Sequence, residues 1–304
     1  MGKFCIKILI IGLILSITGT VILAVEYFNG YIDEMPSIPV RNHAYSTDYT
    51  AYEVTTMIET SPNEVIDQVT YSNYGYYENV IEINIEPDEE IKDIDVSIDM
   101  GKFDITPGAS FMIYSNNSDV SAIKYSVSGG RLEVEYSPDI KLFDFNWLNE
   151  MSEILLVVPQ KVYETISIDM DAGVANITGI TANNFKLDMS AGESYISNVD
   201  VYNSSDIKMS AGYSQFISCG LFNSSKIEVS AGDMEFENSS VTGTSDIKVS
   251  AGALYMNLAD EFSSYNISAE KSAGEVYING EPTAKEYNAY ATTPEPLGTI
   301  NVKV

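Results

Sequence analysis

Residues 187–256 read LDMSAGESYISNVDVYNSSDIKMSAGYSQFISCGLFNSSKIEVSAGDMEFENSSVTGTSDIKVSAGALYM, and Ser-Ala-Gly returns in them every twenty positions, at 190–192, 210–212, 230–232 and 250–252. A fixed period near twenty describes a solenoid in which each unit buries its apolar face on its neighbours. Imperfect copies extend the pattern both ways. Asp171-Ala172-Gly173 lies nineteen positions before the first copy and Ser272-Ala273-Gly274 twenty-two after the last, which makes six rungs. Further upstream, Asp99-Met100-Gly101 in VSIDMGKFDITPG parallels ISIDMDAGVANITG and reads as an earlier, degenerate rung.

The columns of the repeat tell inside from outside. Ile168, Leu187, Ile207, Ile227, Ile247 and Ile267 precede the corner, followed two positions later by Met170, Met189, Met209, Val229, Val249 and Ala269. After it come Ile177, Ile196, Phe216, Phe236, Met256 and Ile278. Alternation of period two on both sides of an Ala-Gly corner predicts two short strands per rung, with like residues stacked along the axis. Gly173, Gly192, Gly212, Gly232, Gly252 and Gly274 are therefore read as structural corners, where a Cβ would obstruct the backbone.

Outward columns carry the register. Asp188, Lys208, Glu228 and Lys248 alternate in sign, as do Asp206, Lys226 and Asp246. Rungs about 4.8 Å apart would set unlike charges side by side and disfavour a slip by one rung. A second outward set is Glu193, Tyr213, Asp233, Ala253 and Glu275 in one column, with Tyr195, Gln215, Glu235, Tyr255 and Tyr277 two positions on; Glu193, Tyr195, Tyr213, Asp233, Glu235, Tyr255 and Tyr277 are the candidate binding face. Tyrosine beside carboxylate on a flat ribbon offers large amphipathic faces to a sugar or a partner protein. Exposed strand positions also favour tyrosine with no ligand involved.

Strand-like alternation begins at Val80-Ile85 and continues through Ile91–Ile98, Ser126–Tyr136 and Ile154–Val158, with Gly129-Gly130 as a tight reversal. Downstream, Asn266–Val304 breaks the period and carries Pro282, Pro294 and Pro296 before Thr299-Ile300-Asn301-Val302. That tail, 281–304, is expected to cap the last rung. The body thus spans 76–304, with the regular repeats at about 166–280.

Ahead of the body, Ile8–Val25 is an apolar run without a charge. Its eighteen residues, at about 1.5 Å each, approach the ~30 Å thickness of a hydrocarbon core. Lys3 and Lys7 precede it and Glu26, Asp33 and Glu34 follow, so the predicted topology is single-pass with the N-terminus in the cytoplasm and the rest outside the cell. A cleaved signal peptide is the competing reading; against it stand the length of the run and the bulky residue in Ile22-Leu23-Ala24. Residues 1–27 form this stub and anchor, and 28–75, with Pro36, Pro39 and Pro62, a stalk.

Composition narrows the chemistry. Among 304 residues, 44 Asp plus Glu against 16 Lys plus Arg give a net charge of -28, which repels nucleic acid and anionic lipid. An acidic surface attracts cations loosely, and calcium stays open. His43 is the only histidine and has no base or ligand partner nearby in sequence, while Cys5 and Cys219 are too far apart in sequence for a local pair and are read as free thiols. No phosphate loop, Ser/His/Asp set or Cys/His metal spacing occurs, so no catalytic residue, cofactor or metal is assigned. A carbohydrate-active enzyme would need a carboxylate pair in a cleft; here carboxylates sit in sign-alternating ladders, and Arg41 and Arg131 are the only arginines.

The run Glu153-Ile-Leu-Leu-Val-Val-Pro159, then Ile166-Ser-Ile168 and Ala172-Gly173, then repeated Ala-Gly corners, resembles the bacterial putative-adhesin or toast-rack β-solenoid domain from about Val80 onward. The resemblance implies an all-β solenoid, often attached to a membrane segment and associated with envelope stress, with no catalytic residues to carry over. Two roles follow as expectations: a surface module that binds a cell-wall polymer or another partner, or an accessory that works with a membrane protein.

Overall fold

The structure is a computed structural model that describes residues 77, 79–85, 89–116, 120–138, 152–271 and 274–304. All of them lie in the compact unit Thr70–Val304. The apolar run Ile8–Val25, the stalk, Cys5 and His43 lie outside the described residues, as do Ser272 and Ala273. Among the described residues, no helix is long and apolar enough to cross a membrane.

The described chain enters through β1 (Asn79–Glu82) and β2 (Asp93–Gly108), then makes β3 (Met112–Ser115), the hairpin β4 (Ile123–Ser128) and β5 (Arg131–Tyr136), and β6 (Glu153–Pro159). Long strands follow: β7 (Val162–Thr178), β8 (Thr181–Ser197), β9 (Asp200–Ile217) and, after the short β10 (Gly220–Leu221), β11 (Ser224–Val241). The body closes with β12 (Gly243–Val249), β13 (Ala253–Leu258), β14 (Tyr265–Glu270), β15 (Glu275–Ile278), β16 (Glu281–Pro282), β17 (Glu286–Ala289) and β18 (Gly298–Lys303). All belong to one continuous, mostly parallel sheet.

In β7, β8, β9 and β11 the expected pair of short strands per rung is replaced by one strand that runs through the corner, while β12 and β13 keep the expected pair about Ala251-Gly252. β7 and β8 are 17 residues long, β9 and β11 are 18. Straight, such a strand would reach about 56 Å. Yet Val162 pairs with Thr181 and Thr178 with Ser197, so that coil returns to its start after nineteen residues, and β9 meets β11 after twenty. The strand must bend inside itself, and it does so at Gly173, Gly192, Gly212 and Gly232, whose φ values are 133°, 134°, 133° and 136°. Because neighbouring coils bend at the same place, the ladder of hydrogen bonds continues through the corner. A second column of corners, at Gly179, Asn198, Ser218, Asn238 and Asn279, has φ between 47° and 67°. Glycine and asparagine tolerate that left-handed conformation best.

Between the corners the inward columns form the core. Ile105, Ile177, Ile196, Phe216, Phe236, Met256 and Ile278 stack in register. Another inward column runs Ile94, Ile166, Phe185, Ser205, Ser225, Ser245. The bulky ring therefore moves from Phe185 in one coil to Phe216 in the next; the rings of Phe216 and Phe236 stack at 4.7 Å. Buried hydroxyls pair along the axis, Ser194 with Ser214 at 2.7 Å and Ser205 with Ser225 at 3.2 Å.

At the N-terminal end, Asp99-Met100-Gly101 does form a rung. Met100 and Gly101 of β2 pair with Ala172 and Gly173 across 72 residues. On the other side of β2, β5 and β6 together make one further rung, the first half pairing Asp93 with Arg131 and the second Lys102 with Glu153. Gly129 and Gly130 turn β4 antiparallel onto β5, as the sequence predicts.

The C-terminal end differs from expectation. Only part of the tail lies outside the last rung: β18 inserts between β12 and β14, parallel to both, with Ile247, Val302 and Ala269 in one row and Ser245, Ile300 and Ile267 in another. Ile267 and Ala269 are thereby shifted two residues from the columns of Ile247 and Val249. An even shift keeps them facing inward, which is why the slip is tolerated. β17 pairs antiparallel with the far edge of β14 and is the outer strand there. One side of the solenoid thus holds an extra layer, since β13 pairs directly with β15 on the other.

Insertion strands one hydroxyl. Ser245 is 0% exposed and its Oγ has no hydrogen-bond partner, because the next rung presents Ile300 where a serine would continue the ladder. Ser245→Ala is accordingly expected to leave stability unchanged or raise it by up to about 2 kcal/mol, whereas Ser214→Ala, which strands the Ser194 hydroxyl, should lower it by about 1–3 kcal/mol. Urea denaturation of the two variants checks this; a loss at Ser245 equal to that at Ser214 would contradict it.

Candidate binding face

The segment between the two corners of each coil presents a flat edge whose outward side chains the glycine corner aims. Glu193, Tyr213 and Asp233 follow Gly192, Gly212 and Gly232 directly and stand in register. Two positions on, Asn176, Tyr195, Gln215, Glu235, Tyr255 and Tyr277 form the next outward column. All seven residues singled out in the sequence lie on this one ribbon, with Gln215 between Tyr195 and Glu235 as the column predicts. Gln215 is buried, Asp233 exposed and the other six partly exposed.

Half of the ribbon is internally bonded. The Tyr195 hydroxyl donates to Glu193 Oε2 at 2.7 Å, and the Tyr213 hydroxyl donates to Glu235 Oε2 at 2.6 Å across a rung. Their rings meet edge to face, 5.9 Å between centroids. Asp233 Oδ1 accepts from the Ala253 amide at 2.8 Å. The other half is open. Tyr255 and Tyr277 stack at 4.8 Å and 9°, and among the described residues no group hydrogen-bonds either hydroxyl. Burial, then the carboxylate of Asp233, holds the Tyr255 hydroxyl above the ordinary tyrosine range, so it is a proton donor at neutral pH. Glu275, in register with Ala253, accepts from Lys271 at 2.9 Å.

At its N-terminal end the ribbon closes on a buried polar cluster that sequence reading missed. Asp104 is 2% exposed and accepts from the Asn176 amide. Lys102 Nζ lies 3.5 Å from Asp104 Oδ2 and 3.4 Å from Glu153 Oε1, and Asn116 donates to Glu153 at 2.9 Å. Burial pushes the Asp104 carboxyl up, opposed by Asn176 and Lys102. Asp104 falls in the outward column of Tyr195, which was a signal available in the sequence; the pairing of β2 with β6 that covers it was not.

The sign-alternating ladders stand in the expected register, Asp188 beside Lys208 and Glu228 beside both Lys208 and Lys248. Their closest ion pairs run along single strands, however: Lys208 to Asp206 at 3.3 Å and Lys226 to Glu228 at 3.6 Å. Exposed pairs of this kind contribute at most about 1 kcal/mol. Cys219 is a buried free thiol that donates to the Ile196 carbonyl at 3.3 Å, and burial pushes it up to about 11, far from a reactive thiolate. Among the described residues, no three His, Cys, Asp or Glu side chains converge to hold a metal ion.

Comparison with known proteins places this geometry. The family model described as Toastrack DUF4097 matches residues 56–304. Among solved structures, a putative adhesin from Bacteroides fragilis is 13% identical with a TM-score of 0.31, the match covering 74% of this chain and 95% of that one. A putative cell adhesion protein from Clostridium sporogenes is 17% identical with a TM-score of 0.29, covering 74% and 97%. No curated protein matches the chain.

Proposed function

The chain belongs to the Toastrack DUF4097 family, and on that premise we propose that it is a non-enzymatic surface-binding module. In this reading Ile8–Val25 tethers it in the cell membrane, single-pass, with the solenoid outside the cell. The module binds a cell-wall polymer along its ribbon. The observation that carries the reading is the stacked pair Tyr255 and Tyr277, half-buried, with both hydroxyls unclaimed and the carboxylates of Asp233, Glu235 and Glu275 around them. Such a set offers apolar ring edge and face together with donors and acceptors, the combination by which proteins hold a sugar ring. A linear polymer suits it because the coils repeat about every 4.8 Å, so neighbouring repeats of a ligand meet neighbouring rungs.

The test is sedimentation of the detergent-solubilised chain with purified cell wall. The double variant Tyr255→Ala, Tyr277→Ala is expected to bind at least about tenfold more weakly, about 1.4 kcal/mol, as for an aromatic anchor at an interface. Tyr202→Ala, at an exposed ring that stacks on Phe222 outside the ribbon, should bind like the wild type. Equal binding by all three would sink the ribbon as the site. Wild-type chain that stays in the supernatant yet is retained with a membrane protein after cross-linking would replace the polymer reading with that of an envelope-stress accessory.

A further inference from the structure

We propose that the seat between β12 and β14 is an interface between two copies of this chain, in which the β18 strand of one copy occupies the seat of the other. The seat is two-sided: Gly243–Lys248 pair with one edge of β18 and Tyr265–Glu270 with the other. Ile300, Val302 and Val304 fill it from within and are 0%, 2% and 3% exposed. Apart from one side-chain bond, Asn301 to Asp246, the strand is held by backbone pairing and alternate apolar side chains, and an identical strand from a second copy would recover every contact.

Two features make β18 the strand that opens. Its seat is imperfectly fitted: the Ser245 hydroxyl is unpaired against Ile300, and Lys303 stands beside Lys248 on one side, like charge against like, and beside Glu270 on the other. Its connection to β17 is also built for reach. Thr292–Leu297 are all exposed, and Pro294 and Pro296 stiffen the stretch toward an extended form. A proline-stiffened hinge resists folding back and so favours exchange over return to its own seat. In the swapped dimer only the hinge changes conformation, so concentration decides between the two forms.

The experiment uses two populations of the 304-residue chain, both carrying Cys5→Ser to remove a background thiol and one carrying a size tag. Asn301 Nδ2 donates to Asp246 Oδ1 at 2.9 Å across the β18–β12 pair, on the exposed face. Chains with Asp246→Cys are incubated at high concentration with chains carrying Asn301→Cys, diluted, oxidised and run on a non-reducing gel. Heterodimers are expected at least about tenfold above those from Asn301→Cys mixed with Asp188→Cys, because seating one strand raises the effective concentration of its thiol. The same yield from both mixtures overturns the proposal. A single chain carrying both Asp246→Cys and Asn301→Cys, oxidised while dilute, should lock as a monomer, which shows that the variants fold, and should then form no dimer on concentration. Dimerisation of the locked chain at the unlocked level would equally overturn it.

Discussion

Gly212→Ala is expected to destabilise the protein by about 3 kcal/mol or more, enough to remove a large part of the stability of a domain. Two independent costs add at this position. Gly212 sits at φ 133°, a conformation that side chains rarely adopt, and the Cβ of alanine would stand 1.7 Å from the carbonyl oxygen of Gly192. That oxygen is backbone inside a ladder, so it cannot swing away without breaking the rung to which it belongs. The same close approach repeats along the column: Gly212 offers its own carbonyl to Gly232 at 1.7 Å from where a Cβ would be built, and Gly173 offers its carbonyl to Gly192 at 1.9 Å. Neighbouring Ser210 and Ala211 are exposed, and Ser210→Ala should stay within about 0.5 kcal/mol of the wild type. Thermal and denaturant unfolding measure both. A Gly212→Ala variant within about 1 kcal/mol of the wild type would mean that the corner relaxes, and the account of the glycine column would fail.

Ending the chain at Leu297 is expected to do comparable damage, and to do it in the interior. Three inward side chains leave, Ile300, Val302 and Val304, each contributing about 1.5–3 kcal/mol by burial, and the loss is compounded by two newly exposed parallel edges. A tail that merely covered the last rung from outside would leave β14 on β12 when removed. With β18 inserted, its removal separates them, so amide protection should vanish along Tyr265–Glu270 and along the β17 strand that pairs with it. The exposed edges also predict aggregation. Retained protection of β14 in a soluble truncated chain would show that β14 has closed directly onto β12, and that β18 is dispensable.

The all-β solenoid could be read from the sequence because the period was printed four times over in Ser-Ala-Gly, and because inward positions alternate on both sides of it. The same columns gave the seven ribbon residues, since side chains two apart on one strand and twenty apart along the chain must share a face. The second corner was missed although Asn198, Asn238 and Asn279 carried its signal: Ser218 breaks the column, and asparagine at one position per coil is easily taken for surface polarity. The pairing of the two tyrosine hydroxyls with Glu193 and Glu235 was not legible either, because it depends on rotamers and not on spacing.

What the sequence determined by itself was everything that repeats. A period of twenty leaves the chain one economical way to bury Ile, Leu, Met and Phe, each coil on the last, and glycine at a fixed phase of that period marks the bend. The tertiary structure alone decided what does not repeat: that β2 stacks on β7 across 72 residues, that β5 and β6 share a rung, and that β18 enters between β12 and β14 with a two-residue shift. The reason is physical. Local pattern sets which face of a strand is apolar, but a strand with an alternating apolar face fits any edge of that kind, and the choice among edges is made by the packing of the whole stack.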